Sequence, residues 1–404
     1  MVPLATRIFR RFGSALDETM RARLVDFICD DASYREGWTR AKPPRILHYP
    51  LSSPRMRPRQ GALAACALPS LATPGDIAAW LGISITELDW FADPGRLADR
   101  RDGPLVHYRY RWIPKRHGIR LVEIPKQRLR DFQRRILREI LQQVPCHAAA
   151  HGFVRGRSCR SHAQVHAGRR AVLRMDLRDF FPSVSMARVA AIFRTLGYPD
   201  ASATVLAAFC THGTPRRAFA ALPAGDLESL GLQGRARLER RHLPQGAPTS
   251  PTLANLAALM LDFRLDGLAK SLGLAYSRYA DDLAFSGEGE LLRNAGRLAD
   301  TVASIAQDVG FEVNFRKTRL MPSSRRQALC GIVVNDRPMP LRPSFDRLKA
   351  ILHNCARDGP GSQNREGRAD FRRHLEGRVA HLRSIDARKA GKLLPLLARI
   401  DWTR

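Results

Sequence analysis

The stretch that decides the fold spans residues 275–286 and reads AYSRYADDLAFS. Its apolar and β-prone residues are interrupted by Ser277 and Arg278, and two adjacent carboxylates, Asp281 and Asp282, lie between its apolar halves. This pattern predicts a strand, a tight turn and a second strand, with both carboxylates at the tip of the hairpin. An isolated Asp-Asp pair would more often mark a solvated turn, so the functional interpretation depends on the flanking strands.

A third aspartate, Asp176, lies far upstream in the segment Arg174-Met175-Asp176-Leu177. Ionised carboxylates repel one another, and folding them together costs free energy unless a cation compensates the charge. Mg²⁺ prefers oxygen ligands from one or two carboxylates together with substrate phosphates. Two such ions, about 3.5–4 Å apart, can stabilise the attacking and leaving oxygens of a phosphoryl transfer. The three carboxylates are therefore candidate ligands for a pair of magnesium ions.

The chain carries a large excess of positive charge. Its 404 residues include 67 Lys and Arg against 38 Asp and Glu, which gives a formal net charge of +29. An excess of this size argues against an ordinary enzyme of small metabolites and favours a polyanionic partner whose phosphates the arginines neutralise. A surface selected only for solubility is the alternative, but such a surface would bind nucleic acid non-specifically in any case.

The cysteines indicate a reducing compartment. There are seven, they are scattered singly, and no Cys-x-x-Cys pair occurs, which argues against a disulfide framework or a zinc ribbon. No apolar run reaches membrane-spanning length, and the basic N-terminus lacks the apolar core of a secretion signal. We therefore expect a cytoplasmic protein with no membrane partner.

Composition and periodicity divide the chain into four predicted parts. Residues 1–70 are rich in Arg and Pro and predict an irregular basic extension, and residues 71–104 predict a small helical region. Residues 105–335 contain strand and helix patterns, and residues 336–404 show only helical stripes. Residues 213–241 are rich in Gly, Pro and Arg and predict a loop or a small insertion.

Local signals place several elements. Thr73 opens a helix that Gly82 ends, and Ser84 begins a second helix with a capping box. Alternating apolar residues predict a hairpin with a basic tip over residues 108–125, and an amphipathic helix follows over residues 127–141.

Five segments, taken in order, resemble the polymerase core of reverse transcriptases, and most closely that of the bacterial retron-type branch. Each segment alone is weak evidence, but their order and spacing together are specific. The resemblance covers roughly residues 70–335. The five segments are IPKRHGIR at 113–120, HGFVRGRS at 151–158, MDLRDFFPS at 175–183, LPQGAPTSP at 243–251 and YADD at 279–282.

The resemblance implies an α+β, right-hand polymerase fold. Residues 105–335 would form fingers and a palm with an antiparallel sheet, and residues 336–404 would form a helical thumb. The implied activity is that of an RNA-directed DNA polymerase, which transfers dNMP from dNTPs to a DNA primer hydroxyl with an RNA template. The implied cofactors are two Mg²⁺ ions, for which Mn²⁺ can substitute. Their implied ligands are Asp176, Asp281, Asp282 and the backbone carbonyl of Leu177.

The resemblance also implies roles for side chains at the nucleotide. Phe181 would lie under the sugar and exclude a 2′-hydroxyl, and Lys317 would protonate the departing pyrophosphate. On the residues alone, Phe181 could equally be a core phenylalanine and Lys317 a surface lysine. The other residues expected to bind the nucleotide are Lys115, Arg116, Arg120, Gln245 and Gly246.

Two segments depart from the retron pattern. The family's Asn-Ala-x-x-His is HAQVH at residues 162–166, and its Val-Thr-Gly is LCG at residues 329–331. Neither change affects the polymerase chemistry. They bear on whether the protein pairs with a cognate structured non-coding RNA and makes a branched RNA–DNA product. An effector protein is a further expected partner. The alternative is a neighbouring branch of reverse transcriptases that acts in defence against phage.

Three other functions stay open on the sequence. A catalytically silent nucleic-acid-binding protein would have no need of paired carboxylates. A template-independent or protein-primed nucleotide polymerase of a defence system would share the same motifs. A group II intron-like reverse transcriptase would be expected to carry a maturase or endonuclease domain after the thumb, a pattern that the helical stripes beyond residue 340 do not show.

Overall fold

The computed structural model describes residue 8 and residues 18–39, 54–94, 106–114, 118–220 and 222–403. Helices and strands are mixed along this part of the chain, and its named strands all pair antiparallel. The predicted α+β class is therefore confirmed. The chain forms two compact units: unit 1 comprises residues 1–145 and 179–257, and unit 2 comprises residues 146–178 and 258–404. The four-part division stays a prediction.

The helices are α1 (Glu18–Asp30), α2 (Ala32–Trp38), α3 (Pro74–Leu81), α4 (Ile85–Ala92), α5 (Gln127–Glu139), α6 (Cys159–Val165), α7 (Met186–Thr195), α8 (Asp200–Cys210), α9 (Arg217–Ala220), α10 (Ala224–Glu239), α11 (Ser250–Ala257), α12 (Leu259–Ser271), α13 (Gly289–Asp308), α14 (Arg342–Asp358), α15 (Phe371–Ile385), α16 (Ala387–Gly391) and α17 (Leu394–Ala398). The strands are β1 (Tyr108–Pro114), β2 (Ile119–Pro125), β3 (Ala171–Asp176), β4 (Ala275–Tyr279), β5 (Asp282–Gly287), β6 (Arg319–Pro322), β7 (Ala328–Leu329), β8 (Ile332–Val333) and β9 (Met339–Pro340).

Two helices, α1 and α2, lie where the sequence predicts an irregular extension, so that prediction is wrong for residues 18–38. Asp31 begins α2, because its side chain accepts hydrogen bonds from the backbone N–H groups of Ser33 and Tyr34. Leu24, Phe27 and Ile28 are spaced as on one helix face, but the Arg- and Pro-rich composition of the surrounding residues predicted an irregular segment.

Helices α3 and α4 confirm the predicted helical pair. Thr73 and Asp76 form a capping box at the start of α3, and Ser84 and Glu87 form another at the start of α4. Gly82 ends α3 at φ 72°, a left-handed conformation that glycine adopts without steric strain. Local side-chain chemistry therefore sets these boundaries.

The predicted basic hairpin is formed by β1 and β2, whose register runs from Tyr108 opposite Pro125 to Pro114 opposite Ile119. The tip, residues 115–117, lies outside the described residues. Helix α5 follows β2 and ends slightly earlier than predicted, because Leu141–Gln143 forms a separate 3₁₀ turn.

Helices α9 and α10 lie within residues 213–241, where the sequence predicts a loop or a small insertion, so the loop is wrong for most of that segment and the insertion stays a prediction. Phe219 and Leu238 pack with Leu121 of β2 in a small core, which holds both helices in place. The backbone of Gly231 has φ 64°, which interrupts α10. The helical spacing of apolar residues in this segment was not recognised, because the segment is rich in Gly and Pro.

The main sheet of unit 2 has the strand order β4-β5-β3-β6. Strands β4 and β5 form the hairpin predicted from residues 275–286, and Tyr279 is opposite Asp282. Strand β3 pairs with β5, and its residues Val172 and Met175 are fully buried. This sheet brings the end of β3 to the tip of the hairpin, although the two segments are remote in sequence.

After the small sheet β7-β8-β9, unit 2 continues with helices alone, as predicted. The predicted apolar stripes contribute to one core. Its buried members are Leu348, Leu352, Cys355, Leu375, Val379, Leu382, Ala390, Leu393 and Ile400. Across the ranges that the structure describes, no helix combines the length and the apolarity needed to cross a membrane.

Candidate functional site

Two of the three predicted carboxylates are opposite each other on neighbouring strands of unit 2. Asp176, the last residue of β3, is the register partner of Asp282, the first residue of β5. Directly opposed residues of an antiparallel pair have Cβ atoms about 4.5–5.5 Å apart and share one face of the sheet. The N–H of Leu177 donates to the carbonyl oxygen of Asp281 at 2.9 Å, which fixes the turn beside β3. The structure therefore brings all three aspartates together.

Two basic side chains already contact these carboxylates. The ammonium of Lys317 donates to both oxygens of Asp176, at 2.8 Å to Oδ1 and 3.0 Å to Oδ2. The guanidinium of Arg174 donates from Nε and Nη2 to Oδ1 of Asp282, at 2.9 and 2.6 Å. Lys317 thus lies at the carboxylate cluster. Arg174 was missed by sequence reasoning, although its position two residues before Asp176 on a strand puts both on one face.

Burial and mutual repulsion disfavour the ionised form of the carboxylates in this cluster, and the nearby basic side chains compensate only part of that effect. Burial raises the pKa of Asp281, and the charges of Asp282 and Asp176 raise it further. Burial also raises the pKa of Asp282, and the guanidinium of Arg174 offsets only part of that effect. When the pKa of a carboxyl group is raised by burial and by neighbouring negative charge, a further cation nearby stabilises its ionised form. The electrostatics of the cluster therefore favour a bound cation.

The donor set suits a hard divalent cation, because carboxylate oxygens are the ligands that Mg²⁺ and Mn²⁺ prefer. Among the residues with described positions, no three His, Cys, Asp or Glu side chains are already arranged to hold a metal ion. Lys317 engages both oxygens of Asp176, and Arg174 engages one oxygen of Asp282. The residue types fit a metal site whose carboxylates are paired with basic side chains.

Cys330 also lies beside the cluster. Its Sγ is 3.9 Å from Oδ2 of Asp282, and burial raises the pKa of the thiol to about 12. The protonated thiol is a weak hydrogen-bond donor to that carboxylate. Cys330 stands where the retron pattern has threonine, so a thiol here replaces a hydroxyl beside Asp282.

The other segment that departs from the retron pattern is buried within unit 2. Hydrogen bonds join Nδ1 of His166 to Oγ of Ser286 at 2.7 Å, and Nε2 of His166 to Oγ of Ser277 at 2.8 Å. A third joins Ser277 Oγ to Nδ1 of His162 at 2.7 Å. Both histidines are fully buried, and burial lowers the pKa of each. The histidine in place of asparagine at residue 162 therefore contributes to the interior, where it links α6 to the hairpin.

The predicted nucleotide-binding residues that the structure describes belong to unit 1. The carbonyl oxygen of Gln245 accepts the N–H of Glu123 at 2.9 Å. Gly246 has φ 135°, and a Cβ there would lie 2.7 Å from the carbonyl oxygen of Glu123. The approach to β2 alone therefore requires glycine at this position. Arg120 is exposed on β2, while Lys115 and Arg116 lie outside the described residues.

Phe181 is half-buried beside Phe180, and the ring centroids are 5.7 Å apart. Phe180 is 3% exposed and therefore supplies the core phenylalanine of this segment. Phe181 is the more exposed of the two rings.

Sequence reasoning missed the buried pair of Glu123 and His242, whose histidine lies three residues before Gln245 in the chain. Nε2 of His242 lies 2.9 Å from Oε2 of Glu123, and the hydroxyl of Thr214 donates to Oε1 at 2.8 Å. Burial acts to raise the pKa of Glu123, but His242 lowers it on balance. Burial acts to lower the pKa of His242, but Glu123 raises it on balance. Both shifts favour the charged form of the pair, and the pair ties β2 to the segment that carries Gln245.

Comparison with known proteins identifies the class. The family model described as Reverse transcriptase (RNA-dependent DNA polymerase) matches residues 113–333, more than half of the chain. The chain therefore belongs to the reverse transcriptases. Its antiparallel sheets and helices fit the right-hand polymerase fold of this family. Members of the family copy an RNA template into a DNA product and use divalent metal ions.

Similar proteins narrow the class. The Retron Mx65 reverse transcriptase of Myxococcus xanthus is 38% identical, over 83% of this chain and 74% of the relative. The Retron Mx162 reverse transcriptase of the same organism is 36% identical, over 85% and 70%. The Retron Ec86 reverse transcriptase of Escherichia coli is 27% identical, over 70% and 77%. Within its family, this chain belongs to the retron branch and is an RNA-directed DNA polymerase, as the motifs predicted. The alternative functions are not favoured.

Proposed function

We propose that Asp176, Asp281 and Asp282 form the catalytic centre of this polymerase and hold two Mg²⁺ ions, for which Mn²⁺ can substitute. The observation that carries the proposal is the register of β3 and β5, which puts Asp176 opposite Asp282 and next to the turn at Asp281. The carbonyl oxygen of Leu177 is a further proposed ligand. When bound, the ions would lower the pKa of the primer 3′-hydroxyl and neutralise charge on the departing pyrophosphate.

The basic side chains of the cluster have separate tasks in this proposal. Arg174 engages Oδ1 of Asp282 and so fixes the orientation of that carboxylate. Lys317 compensates the charge of Asp176 before substrate binds. Its ammonium is the proposed proton donor to an oxygen of the departing pyrophosphate. The proximity of Lys317 to the carboxylates supports this role over that of a surface lysine.

We assign nucleotide binding to residues of unit 1. Phe181 would exclude a 2′-hydroxyl by steric contact, since the core role of this segment falls to Phe180. The remaining residues of this assignment are Arg120, Gln245 and Gly246, together with Lys115 and Arg116 at the hairpin tip. In family terms, β1 and β2 would belong to the fingers, the β4-β5-β3-β6 sheet to the palm and residues 336–404 to the thumb.

Primer extension on poly(rA)–oligo(dT) tests the catalytic assignment. The wild-type protein should incorporate dTMP only with template present, and Asp281→Asn should lose at least about a hundredfold of that activity. Asp300→Asn removes an exposed aspartate of α13 and serves as the control, with activity unchanged. Products made without template would instead indicate a template-independent polymerase. Full activity of Asp281→Asn would show that the carboxylate cluster does not take part in catalysis.

We further propose that the natural template is a structured non-coding RNA of a retron, copied into a branched RNA–DNA product. The similarity to named retron reverse transcriptases and the net charge of +29 support this partner. Sequencing of nucleic acid that co-purifies with the protein should recover one RNA joined to its DNA copy. Mass spectrometry of the same material tests for the expected effector protein. Recovery of unrelated cellular RNA alone would contradict the retron assignment.

A further inference from the structure

A fully buried ion pair between Arg278 and Asp262 lies beside the turn that joins β4 to β5 in unit 2. Arg278 of β4 donates from Nε to Oδ1 of Asp262 at 2.8 Å and from Nη2 to Oδ2 at 2.6 Å. Both side chains are 0% exposed. The hydroxyl of Tyr276 donates to Oδ1 of Asp262 at 2.8 Å, so this carboxylate is well satisfied. A pair of this kind is weak evidence for added stability, because desolvation of both charges opposes their attraction. Its position therefore calls for another explanation.

The third contact of Arg278 supplies that explanation. Its Nη1 donates to the carbonyl oxygen of Ala280 at 3.0 Å, one residue before Asp281. Ala280 has φ 56°, in the left-handed region that residues with a Cβ rarely adopt. Such a conformation persists only where the surrounding structure imposes it. One guanidinium thus joins helix α12, through Asp262, to the strained residue of the turn.

The backbone around Arg278 restrains the same turn from a second side. The N–H of His151 donates to the carbonyl oxygen of Arg278 at 2.7 Å, and the N–H of Arg278 donates to the carbonyl oxygen of Ala149 at 2.8 Å. A Cβ on Gly152 would lie 2.6 Å from the nitrogen of Ala280, so this segment fits tightly against the turn. The turn at Ala280 is therefore held by backbone packing on one side and by Arg278 on the other.

We propose that Arg278 is a positioning residue that sets the direction of the Asp281 and Asp282 carboxylates by holding the carbonyl group of Ala280. It touches neither substrate nor metal ion and acts through the backbone of the turn. The inference rests on the proposed function of these carboxylates as metal ligands. A lysine cannot replace it, because a single ammonium lacks the planar fork that reaches Asp262 and Ala280 together.

The first test is Arg278→Lys, which keeps the charge and loses the fork. We expect kcat for dTMP incorporation to fall about 10- to 100-fold, with KM for dTTP within about twofold, since small misplacements of reacting groups cost rate. Mn²⁺ binding to the protein alone, measured by electron paramagnetic resonance, should weaken about tenfold. Arg264→Lys is the matched control on α12, where the arginine is surface-exposed and pairs with Asp308. It should change neither readout.

A second variant separates positioning from folding. The triple change Arg278→Met, Asp262→Leu and Tyr276→Phe removes the buried charges and the hydroxyl that depends on them, and such replacements often preserve stability. We expect it to melt within a few degrees of the wild-type protein while kcat and Mn²⁺ affinity fall as in Arg278→Lys. Wild-type kcat and Mn²⁺ affinity in either variant would overturn the inference. So would unfolding of the triple variant, because Arg278 would then be a folding determinant only.

Failure of the inference is distinguishable from failure of the proposed function. If Asp281→Asn abolishes synthesis and Mn²⁺ binding while both Arg278 variants behave as the wild-type protein, only the positioning role is wrong. If Asp281→Asn itself leaves Mn²⁺ binding intact, the carboxylates are not the ligands, and the inference falls with them.

Discussion

The ammonium nitrogen of Lys317 lies within 3.0 Å of both carboxylate oxygens of Asp176. The lysine side chain is 57% exposed and the aspartate 6%, so a nearly buried anion is compensated by a cation that reaches it from the surface. A metal ion that binds Asp176 must therefore compete with Lys317 for the same oxygens.

Lys317→Met should therefore bind Mn²⁺ more tightly than the wild-type protein and yet polymerise more slowly. Loss of a partly exposed ion pair is worth about 0.5–1 kcal/mol, which corresponds to about two- to fivefold in affinity. Electron paramagnetic resonance gives the affinity, and single-turnover incorporation gives the rate. Arg316→Met, which changes a neighbouring basic residue, is the control. Weaker Mn²⁺ binding in Lys317→Met would show that the lysine supports the metal site instead.

Phe181→Ala should admit ribonucleotides. Removing the ring takes away the proposed steric contact with the 2′-hydroxyl, and pocket changes of this size shift discrimination by about tenfold or more. The measurement is the ratio of kcat/KM for dTTP to that for UTP on one primer–template. Phe263→Ala removes a 56% exposed ring of α12 and should leave the ratio unchanged. If sugar discrimination survives the loss of Phe181, another residue excludes the hydroxyl.

The buried Glu123–His242 pair should make stability depend on pH with two limits. The pKa of Glu123 is lowered in the folded protein, so its contribution is present above the ordinary value of 4.5 and is lost as pH falls through the folded pKa. The pKa of His242 is raised, so its contribution is complete below the ordinary value of 6.5 and is lost as pH rises through the folded pKa. The pair therefore stabilises the fold most between these two values.

Urea unfolding of His242→Gln over pH 4–9 checks that window. The variant leaves Glu123 without its cation, which should cost about 3–5 kcal/mol near pH 5.5 and less at pH 9. Glu123→Gln leaves Thr214 and His242 in place and should flatten the same profile. A difference from the wild-type protein that stays constant from pH 5 to pH 9 would mean that the pair is neutral.

His162→Asn, which restores the asparagine of the retron pattern, should alter neither polymerisation nor RNA binding by more than about twofold, since the side chain is wholly buried. His166→Leu should lower the free energy of unfolding by about 1–3 kcal/mol, because it removes the hydrogen bond to the Ser286 hydroxyl and leaves the Ser277 hydroxyl with His162 alone. Urea denaturation gives the stability and fluorescence anisotropy the RNA affinity. A large loss of RNA affinity in folded His162→Asn would contradict an interior role.

Arg378 of α15 lies near two other arginines, Arg347 of α14 and Arg368 of the segment between these two helices. Burial lowers the pKa of Arg378, and the like charges of Arg347 and Arg368 lower it further. Phosphate binding would relieve this repulsion, so Arg378→Gln should weaken nucleic-acid binding on every sequence. It should also reduce the slope of log affinity against log salt by about 1. Arg357→Gln is the control, because Arg357 already pairs with Asp358. An unchanged slope would exclude Arg378 from phosphate contact.

The parts of the fold that sequence predicted are those with local causes. The capping boxes at Thr73 and Ser84, and the hairpin at residues 275–286, depend on neighbours a few residues apart. Helix α10 was missed because Gly231 and its flanks look like a breaker, while the apolar contacts that hold the helix come from β2. Asp281 and Asp282 were predicted at a hairpin tip from the strand pattern of their flanks, and the ordered motifs supported their association with Asp176.

The supporting side chains could not be predicted, because their partners lie far away in the chain. Nothing near Arg278 indicates that Asp262 would neutralise it inside the protein, and Glu123 gives no local sign of His242. A charged residue on a predicted strand is ordinarily taken as solvent-exposed. Only the tertiary arrangement shows that these charges are internal.

The close fit between Gly152 and the nitrogen of Ala280 limits how this enzyme can be recombined with its relatives. A chimera that takes the YADD hairpin from one parent and the HGF segment from another would combine surfaces shaped separately, with no room for an added methyl group between them. Libraries of chimeras between related enzymes should therefore take residues 149–153 and 275–286 from the same parent.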